Sequence, residues 1–346
     1  MKLALITDAW RPQVNGVVTT LQRTAQELRQ LGHSVDVFTP DQFRSWPCPG
    51  YSEIRLALGC GRSVRKRLDA LQPDAVHIAT EGPLGLAARH WCVSRGMPFT
   101  TSFHTRFAEY VNLRTGIPLA WGYRLLRWFH SRSERVMVAT PALMEELRER
   151  RFRTSVLWSR GVDVELFRPG DKSFLPDPRP ISLYVGRVAV EKNIEAFLQL
   201  DVPGTKYVVG DGPQRPELER RYPAVRFVGY KMGEELARHV AAADVFVFPS
   251  RTDTFGLVLL EALACGVPVA AYPVQGPRDV ILSDRVGCLN DDLAFAIAEA
   301  LKLDPAACRA YATNYSWQRC ARQFEANLVP VSRVSVRPVA WWQRSS

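Results

Sequence analysis

Short, nearly continuous apolar runs alternate along this chain with longer stretches whose apolar residues recur every three or four positions. The runs at 2–7 (KLALIT), 34–39 (SVDVFT), 74–80 (DAVHIAT), 98–103 (PFTTSF), 135–140 (RVMVAT) and 155–160 (SVLWSR) read as strands. Such runs suit parallel strands covered on both faces. Between the first two, Val17, Val18, Leu21, Ala25, Leu28 and Leu31 form the stripe of an amphipathic helix closed by Gly32. A passage with four prolines, GVDVELFRPGDKSFLPDPRP at 161–180, then breaks the pattern and has linker composition. The alternation restarts at 181–186 (ISLYVG), 205–210 (TKYVVG), 225–230 (VRFVGY), 244–250 (DVFVFPS) and 267–272 (VPVAAY). No sequence repeat accompanies it, so one α/β architecture is used twice.

The longest apolar stretch runs from Phe255 to Val274 with one charge, Glu261. Its length approaches a membrane span. Gly266 and Pro268 cut it, however, and the residue types change across the cut. FGLVLLEALAC is rich in helix formers and VPVAAY is β-prone, which predicts a buried helix starting near Phe255, a glycine stop and a buried strand. An unpaired buried carboxylate is costly, so Glu261 requires a partner.

The two-domain pattern agrees with a length of 346 residues, and 47% hydrophobic and 23% charged content is that of an ordinary globular protein. Seven cysteines, none in a C-x-x-C pair, argue against a disulfide scaffold or a zinc site and for a reducing compartment. Five apolar residues before Asp8 are too few for a secretory signal, so a cytoplasmic location is expected. The net charge of +10 suits an anionic ligand, a nucleic acid or an anionic membrane.

Chemistry collects where strands end. Gly16, in RPQVNGVV, opens a helix after the first strand and either brings backbone N–H groups to a phosphate or serves a tight turn. Arg187 and Lys192, in VGRVAVEKN, could clamp a diphosphate or simply be solvated. Gly210 and Asp211, in VGDGPQ, form a turn at another strand end. Asp253 and Glu261 stand eight apart across the start of the predicted helix, where Phe255, Gly256 and Leu257 offer N–H donors. Asp253 fits an N-cap-region carboxylate as well as a ligand contact. Glu261 lies too deep in the helix for capping.

Taken in order, R-x4-K, V-G-D-G-P and D-x7-E before G-V-P-V resemble the family-4 retaining glycosyltransferases of GT-B fold, from PQVNGV to YSW. SFHTRF, RGVDVELFRP and SRTDTFGLVLLEALACGVPVAAYPV look closest to the lipid-directed branch, which includes GDP-mannose-dependent α-mannosyltransferases and sulfoquinovosyl-diacylglycerol synthases. The resemblance implies two Rossmann-like, doubly wound domains facing a cleft. These would be an acceptor-side domain at 1–168, a linker at 169–180 and a nucleotide-sugar domain at 181–315. A helix at 316–329 would pack back toward the N-terminal domain, ahead of a tail at 330–346 that carries Trp341 and Trp342.

It also implies roles. Arg187 and Lys192 would bind the diphosphate and stabilise the leaving group, and Gly16 would close over it from the other domain. Glu261 would hydrogen-bond the ribose. Asp253 would contact hydroxyls of the transferred sugar, although the family usually has Glu there. Phe255, Gly256 and Leu257 would offer backbone donors, with Gly210 and Asp211 in the donor site and Lys231 near the base. His104, in SFHTRF, matches the family's histidine beside the donor sugar.

The reaction expected is front-face transfer of a hexose, mannose from GDP-mannose being favoured, with retention and with a donor phosphate oxygen taking the acceptor proton. No D-x-D motif appears, so neither a metal nor a cofactor beyond the nucleotide sugar is expected. Arg62, Arg65, Lys66 and Arg67 cluster at 60–68, and the segment 120–135 interleaves Trp121, Tyr123, Trp128 and Phe129 with arginines. These suit an anionic bilayer, with Trp128 and Phe129 as contacts, or a helix whose aromatics face inward. The expected partners are therefore a lipid or glycolipid acceptor and the inner face of the cytoplasmic membrane. The rivals are a UDP-glucose- or UDP-sulfoquinovose-dependent glycolipid synthase, a soluble sugar acceptor, and a nucleotide-sugar epimerase on the same scaffold. Nucleic-acid binding is disfavoured, because the aromatics follow a helical pattern instead of lying on a strand platform.

Overall fold

The computed structural model describes residues 1–13, 15–48, 51–104, 107–253 and 255–331. The chain divides into two compact units, Met1–Ser159 with Cys320–Ser346, and Arg160–Arg319. In the first unit the strands are β1 (Lys2–Ile6), β2 (Ser34–Phe38), β3 (Trp46–Cys48), β4 (Tyr51–Leu56), β5 (Ala75–Ile78), β6 (Thr100–Phe103), β7 (Arg135–Val138) and β8 (Ser155–Leu157). Six of them form one parallel sheet in the order β2-β1-β5-β6-β7-β8, and β3 and β4 pair as a separate hairpin. The hairpin is absent from the pattern reading, because Pro47 and Pro49 break its alternation.

The second unit holds β9 (Ile181–Val185), β10 (Thr205–Val209), β11 (Arg226–Gly229), β12 (Val245–Phe248), β13 (Val269–Ala271) and β14 (Gly287–Leu289). They form a parallel sheet in the order β11-β10-β9-β12-β13-β14. At three residues, β14 is too short to read from sequence. In each sheet the chain builds outward from its first strand, then crosses to the other side. The order therefore reverses between β1 and β5 in one unit and between β9 and β12 in the other. In open parallel sheets ligands bind beyond the strand C-termini at such reversals.

The central strands are buried on both faces, as in β5 (Ala-Val-His-Ile), β9 and β12. His77 of β5 is wholly buried between the hydroxyls of Thr100 and Ser102, and burial lowers its pKa to about 3. It is therefore a neutral core residue. Its ring meets Phe324 edge-on at 4.7 Å, which seats the C-terminal helix Trp317–Asn327 against the first unit. Asn327 and Gln323 of that helix bond Leu157 and Ser159, so the helix covers the end of β8.

The proline-rich passage is not a free linker. The Arg309 guanidinium donates to the carbonyls of Val164, Phe167 and Ala264, and Asp244 accepts from Ile181 N. Residues from Arg160 onward thus belong to the second unit, and the units divide after Ser159, ahead of the expected boundary at 168.

Candidate active site

The reversal between β9 and β12 gathers four of the expected residues. After β9 the chain passes Gly186 and Arg187 into a single 3-10 turn, Val190–Lys192. After β12 comes the loop that carries Asp253. Three bonds join the two loops. Asn193 Nδ2 donates to the Pro249 carbonyl at 3.1 Å, Thr252 Oγ1 donates to the Glu191 carbonyl at 3.1 Å, and Lys192 Nζ meets Asp253 Oδ1 at 2.5 Å. Beneath them the buried Tyr184 hydroxyl donates to the Arg187 carbonyl at 2.9 Å. The result is a braced rim that carries Arg187 and a largely buried ion pair, with side chains only 22% and 19% exposed.

Asp253 is not a helix cap. The helix begins at Leu257, later than the pattern predicts, because Gly256 has a left-handed backbone at φ +81 and no side chain caps the end. A residue in that region cannot continue a right-handed helix, and glycine adopts it without a Cβ penalty. Phe255 is buried and leads into this turn.

Glu261 sits in the helix's second turn beside the fully buried Leu260 and Ala262. Burial raises its pKa to about 7. Among the described residues nothing hydrogen-bonds its carboxylate, so the partner expected from sequence is not supplied by this fold. Two oxygens here are buried and, among the described residues, unbonded: Asp253 Oδ2 and Gln275 Oε1. An orphaned buried polar atom costs about 1–3 kcal/mol, a cost that a bound ligand relieves.

Gly210 ends β10 at φ +146, so close to the Gly186 carbonyl that a side chain would collide with it. Asp211 ties the two loops through its carbonyl, which accepts from Val188 N at 2.9 Å. Its carboxylate turns outward to Gly212 N and Arg215, so the side chain closes the turn. Lys231 follows β11, and its ammonium pairs with Glu235 at 2.5 Å.

In the first unit Gly16 opens the helix Gly16–Gln30, and Asn15 caps it by accepting from the amides of Val17 and Val18 at 3.0 Å each. Those donors are thus already used. His104 follows β6, half-buried, with its ring edge-on to the buried Trp158 at 5.6 Å. Val14, Thr105 and Arg106 of the neighbouring motifs lie outside the described residues.

Pattern reading misses a carboxylate here. Asp8, just past β1, accepts from Thr80 Oγ1 at 3.0 Å, Leu84 N at 2.9 Å and Gly85 N at 3.3 Å, and so caps the helix Pro83–Arg95 from another strand. Burial raises its pKa to about 6 in spite of those bonds. Asp8 and Gln275 each follow a strand by two to four residues, and that position is the one signal that could have found them. Tyr184, inside an apolar strand, reads only as core.

The basic–aromatic segments divide by face. Arg62, Arg65 and Lys66 are exposed on the helix Gly61–Leu71. Arg67 instead lies over the Phe38 ring at 4.3 Å and donates to Gln42. On the helix Leu119–His130, Tyr123, Leu126 and Phe129 pack inward. Phe129 is 2% exposed, which corrects its expected place among membrane contacts. Trp121, Leu125 and Trp128 point outward, 71%, 57% and 50% exposed, and Arg89 lies over the Trp128 ring at 4.2 Å. Among the described residues no helix is long and apolar enough to cross a membrane. Trp341 and Trp342 lie outside those residues.

Known proteins share this architecture and sequence. The family profile for Glycosyltransferase Family 4 matches residues 14–166, and that for Glycosyl transferases group 1 matches 179–303. A GDP-mannose-dependent alpha-mannosyltransferase of Mycolicibacterium smegmatis is 32% identical over 86% of each chain. A sulfoquinovosyl transferase of Arabidopsis thaliana is 30% identical over 79% of this chain and 60% of its own. An alpha-monoglucosyldiacylglycerol synthase of Streptococcus pneumoniae is 28% identical over 88% of this chain and 79% of its own. Among solved structures, a sucrose-phosphate synthase from Thermosynechococcus elongatus superposes with a TM-score of 0.74 at 25% identity, covering 94% of this chain and 97% of that one. Two reversal-point sheets, a braced rim after β9 and β12, and a match that runs through both units lead to one assignment: the chain is a glycosyltransferase of GT-B fold and belongs to glycosyltransferase family 4.

Proposed function

We propose that this enzyme moves a hexose, best mannose from GDP-mannose, to a hydroxyl of a membrane glycolipid or lipid headgroup, with retention and without a metal. The observation that carries the reading is the rim after β9 and β12. Lys192 and Arg187 stand on one braced loop, while Asp253 keeps a buried carboxylate oxygen, Oδ2, that no protein donor among the described residues reaches.

The parts divide by charge. The cations of Arg187 and Lys192 meet the departing diphosphate as negative charge builds on it, an effect worth about 3 kcal/mol per donor. The carboxylates accept hydroxyls, Glu261 from the ribose and Asp253 from the sugar. No carboxylate of the sequence motifs stands out as a covalent nucleophile, which favours a donor phosphate oxygen taking the acceptor proton. Two relatives named as GDP-mannose-dependent, at 32% and 31% identity, support the guanine nucleotide and the mannosyl group. The relatives named as sulfoquinovosyl transferase and alpha-monoglucosyldiacylglycerol synthase favour a second reading, with a UDP-sugar donor and a lipid acceptor.

The outward stripe of Trp121, Leu125 and Trp128, with Arg124 beside it, supports a peripheral position on an anionic bilayer at the cytoplasmic side. Thermal stabilisation by GDP, UDP and ADP at equal concentration tests the reading, because a ligand selective for the folded state raises its stability. Stabilisation by GDP alone, lost in Arg187→Ala, is expected. Stabilisation by UDP alone moves the assignment to the UDP-sugar reading. No stabilisation by any of the three, in folded protein, overturns both.

A further inference from the structure

Gln275 begins the short helix Gln275–Val280, which follows β13 as the Asp253 loop follows β12. The two segments touch. A Cβ added to Gly276 would come within 2.7 Å of the Asp253 carbonyl oxygen and 3.4 Å of Phe255 N. Each of the two touching segments carries a buried acceptor oxygen with no hydrogen-bond partner among the described residues, Asp253 Oδ2 and Gln275 Oε1. Asp253 uses its other oxygen on Lys192.

We propose that Gln275 is a sugar-contacting residue that sets donor specificity, its carboxamide oxygen and Asp253 Oδ2 together accepting hydroxyl hydrogens of the transferred hexose. This rests on the reading that a sugar nucleotide binds at the β9–β12 rim. The chemistry of the corner selects the ligand group. Two oxygens that only accept call for a group that donates, and a diphosphate offers acceptors alone. Lys192 already balances the Asp253 charge, so the corner calls for neutral donors instead of a cation. Sugar hydroxyls are such donors, and epimers that differ at one carbon would present them differently.

A structural glutamine and a ligand-binding one respond oppositely to Gln275→Leu, which keeps the bulk and removes the amide. Loss of a structural hydrogen-bonding residue lowers the melting temperature. Removal of an orphaned polar group leaves the melting temperature unchanged or raises it, and harms only what the ligand gained. The experiment compares wild type and Gln275→Leu in apo melting, in stabilisation by GDP and UDP, and in kcat/KM with GDP-mannose, GDP-glucose and UDP-glucose. The expected result is unimpaired apo stability, unchanged stabilisation by the bare diphosphate, and kcat/KM for the preferred donor about 10- to 100-fold lower. The preference between GDP-mannose and GDP-glucose should shrink with it.

Gln275→Asn, which keeps the amide but retracts it by one methylene, answers the same question should the leucine variant not fold. It should show the same selective loss. Unchanged kcat/KM and donor preference in a folded variant overturn the proposal, as does a drop of several degrees in apo melting with the preference kept. A wild-type protein that neither binds nor turns over any of these nucleotides overturns the underlying reading, and the proposal falls with it.

Discussion

Both units carry a doubly wound sheet with an aspartate near its point of reversal, yet the two carboxylates are treated in opposite ways. Asp8, between β1 and β5, accepts from Thr80, Leu84 and Gly85. Asp253, beyond β12, accepts from Lys192 on one oxygen and, among the described residues, from nothing on the other. The first carboxylate is spent on holding a helix. The second is held in place with capacity to spare. Position in a fold therefore does not distinguish structure from function; what separates these two carboxylates is whether both oxygens are bonded within the protein.

The largest expected effect is at the open site. Lys192→Met keeps the aliphatic stem and removes the charge that meets both Asp253 and the leaving diphosphate. Steady-state transfer assays should show kcat lower by about 10²- to 10³-fold, or roughly 3–4 kcal/mol of transition-state stabilisation. A loss below tenfold would break the comparison, since Lys192 would then be as structural as Thr80.

At the closed site the loss should appear in stability. Asp8→Ala strips acceptors from Leu84 N, Gly85 N and the Thr80 hydroxyl, all inside the fold, and urea unfolding should show a deficit of about 2–4 kcal/mol. Stabilisation by nucleotide should be unaffected, because the braced rim lies wholly in the second unit. A variant that keeps its stability but loses transfer would move Asp8 into the catalytic group.

The contrast explains how much of the molecule is legible in sequence. Strand order follows from local runs, so eleven parallel strands emerge from apolar pattern and only β14 and the hairpin escape. Arg187, Lys192, Asp253 and Glu261 are legible because each belongs to a spaced motif. Asp8 and Gln275 are not, because their meaning lies in contacts with residues such as Leu84 and Gly276 that sequence does not bring together. The helix Leu119–His130 fails differently. It is apolar on both faces, so composition cannot say that Phe129 faces in while Trp121 faces out. Arg67 likewise counts as a surface charge until Phe38 is seen beneath it.

Glu261 sharpens the comparison through pH. Its pKa near 7 lies above the ordinary 4.5, so the native state holds the proton more tightly than the unfolded chain. The stability it contributes is therefore complete below about pH 4.5 and is lost, by roughly 3 kcal/mol, as pH rises through 7. Ligand binding should run the other way, because ribose hydroxyls donate to the ionised form. GDP affinity should rise about tenfold from pH 6 to pH 8, as the ionised fraction does around a pKa of 7. Calorimetric titration across that range checks it. Glu261→Gln should flatten the nucleotide profile and make the apo protein the more stable one at pH 8. A slope that survives the substitution would mean that another group governs the pH dependence.

The smallest effect should come from a satisfied polar group beneath the open site. Tyr184 is buried and donates its hydroxyl proton to the Arg187 carbonyl, so it holds the loop and not the ligand. Tyr184→Phe preserves the ring in its packing and removes one hydrogen bond, worth about 0.5–1.5 kcal/mol in unfolding experiments. If the bond only stabilises the fold, kcat should stay at the wild-type value while the urea midpoint falls. If it positions Arg187, kcat should fall a few-fold with the KM for donor little changed, because bracing matters most when charge develops on the leaving group. The braced rim predicts the second outcome. It also predicts that Tyr184→Phe combined with Arg187→Ala costs no more in kcat than Arg187→Ala alone, since a positioning residue has nothing left to position.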